Sequence, residues 1–280
     1  GATNFLGYEA LDCEATVKAI AVNGEKVDFI GAEQDGVIVL DTTTLYGEGG
    51  GQVGDTGVIS INDSTFEVTN TTKTAEGVFL HHGALAEGDT IKVGDKVTVS
   101  VNKARREAIM KNHTVAHLLQ AALREILGTH VEQAGQLVNE SAVRFDFSHF
   151  SALSGEEIAK IENRVNEIIL SALPVTMEEM AIEDAKKKGA MALFGEKYGD
   201  TVRVVTAANG FSTELCGGTH VSNTGNIGLF RIVSESSVAA GVRRIEGVTA
   251  NGVIKYLDSR EELIQNAASA MKLANINDLA

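Results

Sequence analysis

At 280 residues, 44% hydrophobic and 22% charged, the chain has room for one large or two ordinary domains, and its composition excludes a disordered protein. No run of about 18 apolar residues and no basic-then-apolar leader occurs, which excludes a helical membrane span and predicts a cytoplasmic protein with no membrane partner. The net charge of −14 excludes a uniformly basic surface, so any nucleic-acid contact must be made by a local patch.

Residues up to Val101 read as β. Runs at 16–22, 36–40, 57–61, 65–69 and 96–101 alternate or are rich in Val, Ile and Thr, and Asn-Gly, Asp-Gly and glycine-rich turns separate them. Short strands at that spacing predict a small barrel or closed sheet. A helix is predicted over 102–127, with Ile109, Ala116, Leu119, Leu123, Ile126 and Leu127 on its apolar face and Gly128 at its end. A strand pair follows at 137–138 and 143–147. A second helix is predicted over 154–171, where Ser154 and Glu157 have capping-box spacing, with Pro174 beyond its end. Further strands are expected at 177–180, 201–205 and 227–233, with a short helix at 182–189. A last, polar-rich helix is predicted over 252–273, as if beginning something longer, and the start at Gly1 without methionine fits a trimmed parent. The fold class is therefore α+β.

Two cysteines, Cys13 and Cys216, cannot make a disulfide framework and direct attention to thiol or metal chemistry. His113-Thr114-Val115-Ala116-His117 lies inside the first helix, where a spacing of four puts both imidazoles on one face. Cys216-Gly217-Gly218-Thr219-His220 follows far downstream, with paired glycines that let Cys216 and His220 converge. Three nitrogens and one sulfur suit tetrahedral zinc, provided that folding joins the halves. A zinc peptidase needs Glu directly after the first His, and Thr114 stands there.

Other candidates are weaker. Gln133 follows the metal helix, where an amide can orient substrate or water. His81-His82, beside Gly83, reads as a surface turn, and His130 and His149 read as structural. Asp146, between Phe145 and Phe147, faces the other side of its strand. The glycine-rich segment 46–55 lacks the Gly-Lys-Ser/Thr ending of a phosphate loop and is either a tight barrel turn or a loop that approaches a ligand. Lys103, Arg105, Arg106 and Lys111 precede the histidine pair, and Arg243-Arg244 follow a glycine; these are the candidate RNA contacts.

The motifs His113-Thr-Val-Ala-His117, Arg144-Phe-Asp-Phe147, Lys188-Gly-Ala-Met-Ala-Leu-Phe-Gly-Glu-Lys197, Thr213-Glu-Leu-Cys-Gly-Gly-Thr-His220 and Gly241-Val-Arg-Arg-Ile-Glu246 together resemble the editing domain of alanyl-tRNA synthetases. Phe5-Leu-Gly-Tyr8 and segment 46–55 resemble the barrel that precedes it in those enzymes. The resemblance implies a β-barrel domain at 3–101, an α/β editing domain with antiparallel sheet and helices at 102–251, and the start of a helical linker or oligomerisation segment at 252–280. It implies one zinc ion held by His113, His117, Cys216 and His220, and hydrolysis of serine or glycine from tRNA(Ala). Gln133, Thr114 and Cys216 become the catalytic candidates, Thr114 as a sensor of the serine hydroxyl. The implied partners are the tRNA(Ala) acceptor end and the missing ATP-binding aminoacylation and C-terminal parts of a parent ligase. Two alternatives stay open, a zinc-stabilised tRNA-binding module and a freestanding trans-editing relative.

Overall fold

The computed structural model describes residues 1–192, 198–273 and 275–279. Residues 193–197, the end of the motif that starts at Lys188, lie outside the described residues. Among those described, no helix is long and apolar enough to cross a membrane.

Six antiparallel strands form the first layer: β1 (Asp12–Val22), β2 (Asp35–Leu40), β3 (Gly57–Ile61), β4 (Ser64–Lys73), β5 (Phe79–Glu87) and β6 (Lys96–Val101). Their order β6-β3-β4-β5-β2-β1 closes when β1 pairs with β6, so the ring has no open edge. Alternation sets which side chains fill it: Val97, Val99 and Val101 of β6 turn inward while Lys96 and Thr98 turn out. They pack with Ile20, Ile38, Ile59, Phe66 and Leu85 in a core of their own.

Strand β5 is the one the sequence conceals. It carries His81-His82-Gly83, which reads as a surface turn, yet His81 is fully buried, with ring nitrogens bonded to Thr43 Oγ1 (2.8 Å) and Ile38 O (2.9 Å). Burial pushes its pKa down to about 4, so it is a neutral core histidine. Gly83 is required because a Cβ there would sit 1.8 Å from Glu67 O of the neighbouring strand.

Helix α1 (Lys103–Leu127) leaves the barrel directly, with Asn102 Oδ1 accepting from Arg105 N at its start. Strands β7 (Gln133–Val138) and β8 (Val143–Ser148) follow, then α2 (Gly155–Leu170). The Ser154–Glu157 capping box forms in both directions, at 3.1 and 2.8 Å. Ser154→Ala is expected to cost about 0.5–2 kcal/mol in urea unfolding. Next come β9 (Val175–Ala181), α3 (Ile182–Lys187), β10 (Thr201–Ala207) and β11 (Ser212–Leu215), with β9-β10-β11 a three-stranded sheet. Strands β12 (Phe230–Ala239) and β13 (Val242–Thr249) complete the four-stranded sheet β7-β8-β13-β12, and α4 (Asn251–Ala270) and a 3₁₀ turn (Ile276–Leu279) follow.

The strand expected at 227–233 starts later than its apolar residues suggest. Ile227 is buried in a 3₁₀ turn, and Gly228, at φ 86°, breaks the chain before Phe230. The second core joins Ile109, Leu119 and Leu123 of α1, Phe145 and Phe147 of β8, and Ile161, Val165 and Ile169 of α2. This packing seats α1 against α2 and the four-stranded sheet, with β10 and β11 also touching it.

Candidate metal centre

His113 and His117 lie one turn apart on α1, both buried, with ring centroids 5.4 Å apart. Strand β11 ends at Leu215 and delivers Cys216 beside them. The following loop is clamped from outside: Arg203 Nη1 donates to Cys216 O (3.1 Å) and Gly218 O (2.6 Å). The Arg203 guanidinium stacks 3.9 Å from the Tyr8 ring centroid, and the Tyr8 hydroxyl donates to Gly217 O. Cys216 Sγ comes to 3.5 Å from His113 Nε2 and 3.2 Å from His220 Nε2. The ligand atoms of His113, His117, Cys216 and His220 all lie within 4.8 Å of one another, so the folded chain joins the two halves into a centre that can hold one metal ion.

The outer hydrogen bonds aim the rings. His113 Nδ1 faces Gln52 Oε1 at 2.7 Å, His117 Nδ1 faces Glu214 Oε1 at 3.0 Å, and His220 Nδ1 faces Thr114 Oγ1 at 3.1 Å. Each contact occupies Nδ1 and turns Nε2 inward, the pattern of a metal-binding histidine with an outer-shell acceptor. His117 Nε2 is buried and has no hydrogen-bond partner, an orphan ring nitrogen that a metal ion, bound in place of a proton, would satisfy. Burial opposes charge on His117, but the Glu214 carboxylate and the Cys216 sulfur outweigh it and push its pKa up to about 10. Burial likewise opposes a Cys216 thiolate, yet the three imidazoles hold its pKa well below the ordinary thiol range. His220 is held down to about 3, chiefly by burial. The Cys216 sulfur among three imidazoles, with Glu214 behind His117, makes a pocket suited to a cation.

A cavity of about 270 Å³ opens onto this centre, lined by His117, Cys216, Gly217, Gln133, Gln136 and Glu214 among others. Gln133 and Cys216 therefore share one space. Thr114 does not reach it. It is fully buried behind His220, and its oxygen also accepts from Val221 N, so in this structure it faces His220 and the backbone and not the cavity.

The basic residues scatter. On a helix at about 100° per residue, Arg106 alone among the four shares the face of His113, two turns earlier. It is 2% exposed and ion-paired with Asp55, which removes it from any RNA-contacting surface. Arg105 donates to Gly54 O (2.8 Å) and pairs with Glu140. Lys103 is exposed, with Glu107 at 3.8 Å, and Lys111 is half-buried on the side of α1 away from His113. Arg243 pairs with Glu235, and Arg244 makes a bidentate pair with Asp146 at 2.7 and 2.8 Å. Asp146 does face away from its Phe neighbours, and there it meets Arg244. His130 and His149 stack and bond to each other at 2.9 Å, apart from the His113–His117–Cys216–His220 cluster.

Gln52, Glu214, Arg203 and Tyr8 escape the sequence reading. Gln52 and Glu214 sit inside recognisable motifs, but nothing local says that their side chains turn to His113 and His117.

Residues 1–105 match the family of class II (A) tRNA synthetases, and residues 202–246 match the second additional domain of threonyl and alanyl tRNA synthetases. The alanine–tRNA ligase of Pseudomonas syringae pv. tomato is 50% identical over 97% of this chain and 31% of its own length. That of Saccharophagus degradans is 52% identical over 99% of the chain and 31% of its own length. Alanine–tRNA ligase 1 of Lachnoclostridium phytofermentans is 49% identical over 96% and 30% respectively. With two synthetase domains matched in order and half of its residues shared with these ligases, the chain belongs to the alanyl-tRNA synthetase family and spans about a third of its curated relatives' length.

Proposed function

We propose that this chain removes wrongly attached serine, and glycine, from tRNA(Ala) by hydrolysing the ester to the terminal ribose, with one zinc ion at the four-residue centre. The observation that carries this reading is the centre's opening, through His117 and Cys216, into the cavity that Gln133 and Gln136 line. Zinc–nitrogen and zinc–sulfur bonds at a tetrahedral angle put N and S about 3.6 Å apart, against 3.5 and 3.2 Å here. When bound, zinc supplies a Lewis-acid centre suited to ester hydrolysis. Water adds to the ester carbonyl, the bond to the ribose oxygen breaks, and serine and a free tRNA hydroxyl leave.

The protein's part is orientation. The Gln133 amide offers a donor and an acceptor to the amino acid beside the centre, and Gln136, whose Nε2 donates to Gly50 O (2.7 Å), offers its Oε1. A cavity that bonds the serine hydroxyl leaves polar groups unpaired with alanine, and such readout discriminates by up to about 10⁴–10⁵-fold. Lys103 and Lys111 remain the cations for the tRNA backbone, in a cytoplasmic parent that also carries aminoacylation and C-terminal parts. The four-ligand set favours a second reading, since closed sites of four protein ligands are typically structural. Zinc would then stabilise a tRNA-binding module.

Release of serine from Ser-tRNA(Ala) decides between them, with Ala-tRNA(Ala) as control. The deacylase reading expects serine release that spares alanine. It also expects chelation or Cys216→Ala to reduce release by more than the ~10–100-fold typical of losing an outer-shell partner. Zinc-loaded protein that binds the tRNA without releasing serine would leave the structural module.

A further inference from the structure

The glycine-rich loop between β2 and β3 belongs to the barrel by sequence, yet one of its side chains ends inside the metal centre. Gln52 is fully buried, and its Oε1 accepts from His113 Nδ1 (2.7 Å) and from Thr219 N (2.9 Å). Its Nε2 donates to Thr219 Oγ1 at 2.9 Å. We infer that Gln52 is a positioning residue of the metal centre, supplied by the barrel, which selects the ligand-ready tautomer of His113 and fixes the Cys216–His220 loop against it. The inference rests on the metal-centre reading but not on the deacylase activity.

The orientation of the amide follows from its partners. A backbone N–H can only donate, so the atom facing Thr219 N must be the amide oxygen. The same oxygen faces His113 Nδ1, which must then carry the hydrogen. His113 Nε2 is thereby left with its lone pair facing Cys216 Sγ (3.5 Å) and the Gln136 amide nitrogen (3.3 Å). One residue sets the ring's tautomer and its rotation together.

The loop cannot drift from this position. Gly49 and Gln52 exchange backbone bonds of 3.0 and 3.1 Å. On one side Val53 N donates to Val138 O (3.0 Å) and Val138 N to Gly51 O (2.7 Å), which ties the loop to β7. On the other, Gly54 lies against β4, where a Cβ would come 1.9 Å from Thr71 O. Gly51, at φ +81°, would place a Cβ 2.5 Å from Gln136 Cγ. The loop is held between barrel and sheet, and Gln52 projects from it as a preset acceptor.

The test reads metal binding and tautomer, not turnover. Gln52→Met keeps the length and removes the acceptor, whereas Gln52→Glu keeps an acceptor for both N–H groups and lets the Thr219 hydroxyl rotate to donate. In chelator-stripped protein titrated with zinc against a chromophoric competitor, Gln52→Met is expected to bind about 10–100-fold more weakly. Gln52→Glu should recover most of that loss. Cobalt spectra of Gln52→Met should show altered thiolate charge-transfer bands. Parent-like affinity and cobalt spectrum in Gln52→Met would overturn the inference. Because that variant is able to fail by unfolding, nitrogen-15 spectra of metal-free parent protein give an independent reading. They are expected to show a proton on His113 Nδ1, and a proton on Nε2 alone would overturn the inference too. Failure of the parent to release serine would count against the deacylase reading only.

Discussion

Arg106→Ala is expected to destabilise the chain by about 3–5 kcal/mol, the cost of stranding a buried charge. Arg106 and Asp55 are 2% and 1% exposed, and the guanidinium serves three segments. Nε donates to Asp55 Oδ2 (2.8 Å), Nη1 to Gly7 O (2.7 Å) and Nη2 to Thr44 O (2.8 Å). Asp55 Oδ2 also accepts from Tyr46 N, so its loop loses its anchor when the pair breaks. Arg106→Lys should rescue little, because a single ammonium cannot reach three acceptors set for a planar fork. Urea unfolding gives the number. A loss below about 1 kcal/mol, the range of a surface pair, together with weaker, less salt-sensitive tRNA binding, would return Arg106 to the RNA-contacting role that its sequence neighbourhood suggests.

Gly218→Ala should abolish the metal centre while leaving most of the fold intact. A Cβ at this position would lie 2.1 Å from His113 Cε1, 2.3 Å from its Nδ1 and 2.8 Å from Gln52 Oε1. These atoms have nowhere to go: His113 is fully buried and held by Gln52, and Arg203 clamps Gly218 O from outside. The expected outcome is a fold destabilised by about 1–3 kcal/mol but still cooperative, and a zinc affinity lower by well over the ~10–100-fold of an outer-shell loss. Gly217→Ala is the control, since its Cβ would meet only Tyr8 Oη, at 3.9 Å. Equal zinc binding by the Gly218 variant would show that the loop has room to move, which the clamp argues against.

Much of this was legible in the sequence where the governing interactions are local. The spacing of four between His113 and His117 puts them on one face of any helix, and the capping box at Ser154 names its own helix start. Alternating valines mark β6 without reference to its neighbours. Strand β5 was hidden because its histidines and glycine are suited to strands across the sheet, where burial of His81 and the close approach at Gly83 are settled.

The roles around the metal centre have the same character. Gln52 meets Thr219 across 167 positions, Thr114 meets His220 across 106, and Glu214 meets His117 across 97. Residue type and spacing along the chain identify groups able to bind a metal, because that property belongs to each side chain and its turn of helix. Which polar side chain is buried, which nitrogen it leaves free and which cation it neutralises depend on desolvation and on partners brought from elsewhere. Arg106 in the sequence is a basic residue beside a metal motif; in the folded chain it is the buried cation joining α1 to the barrel.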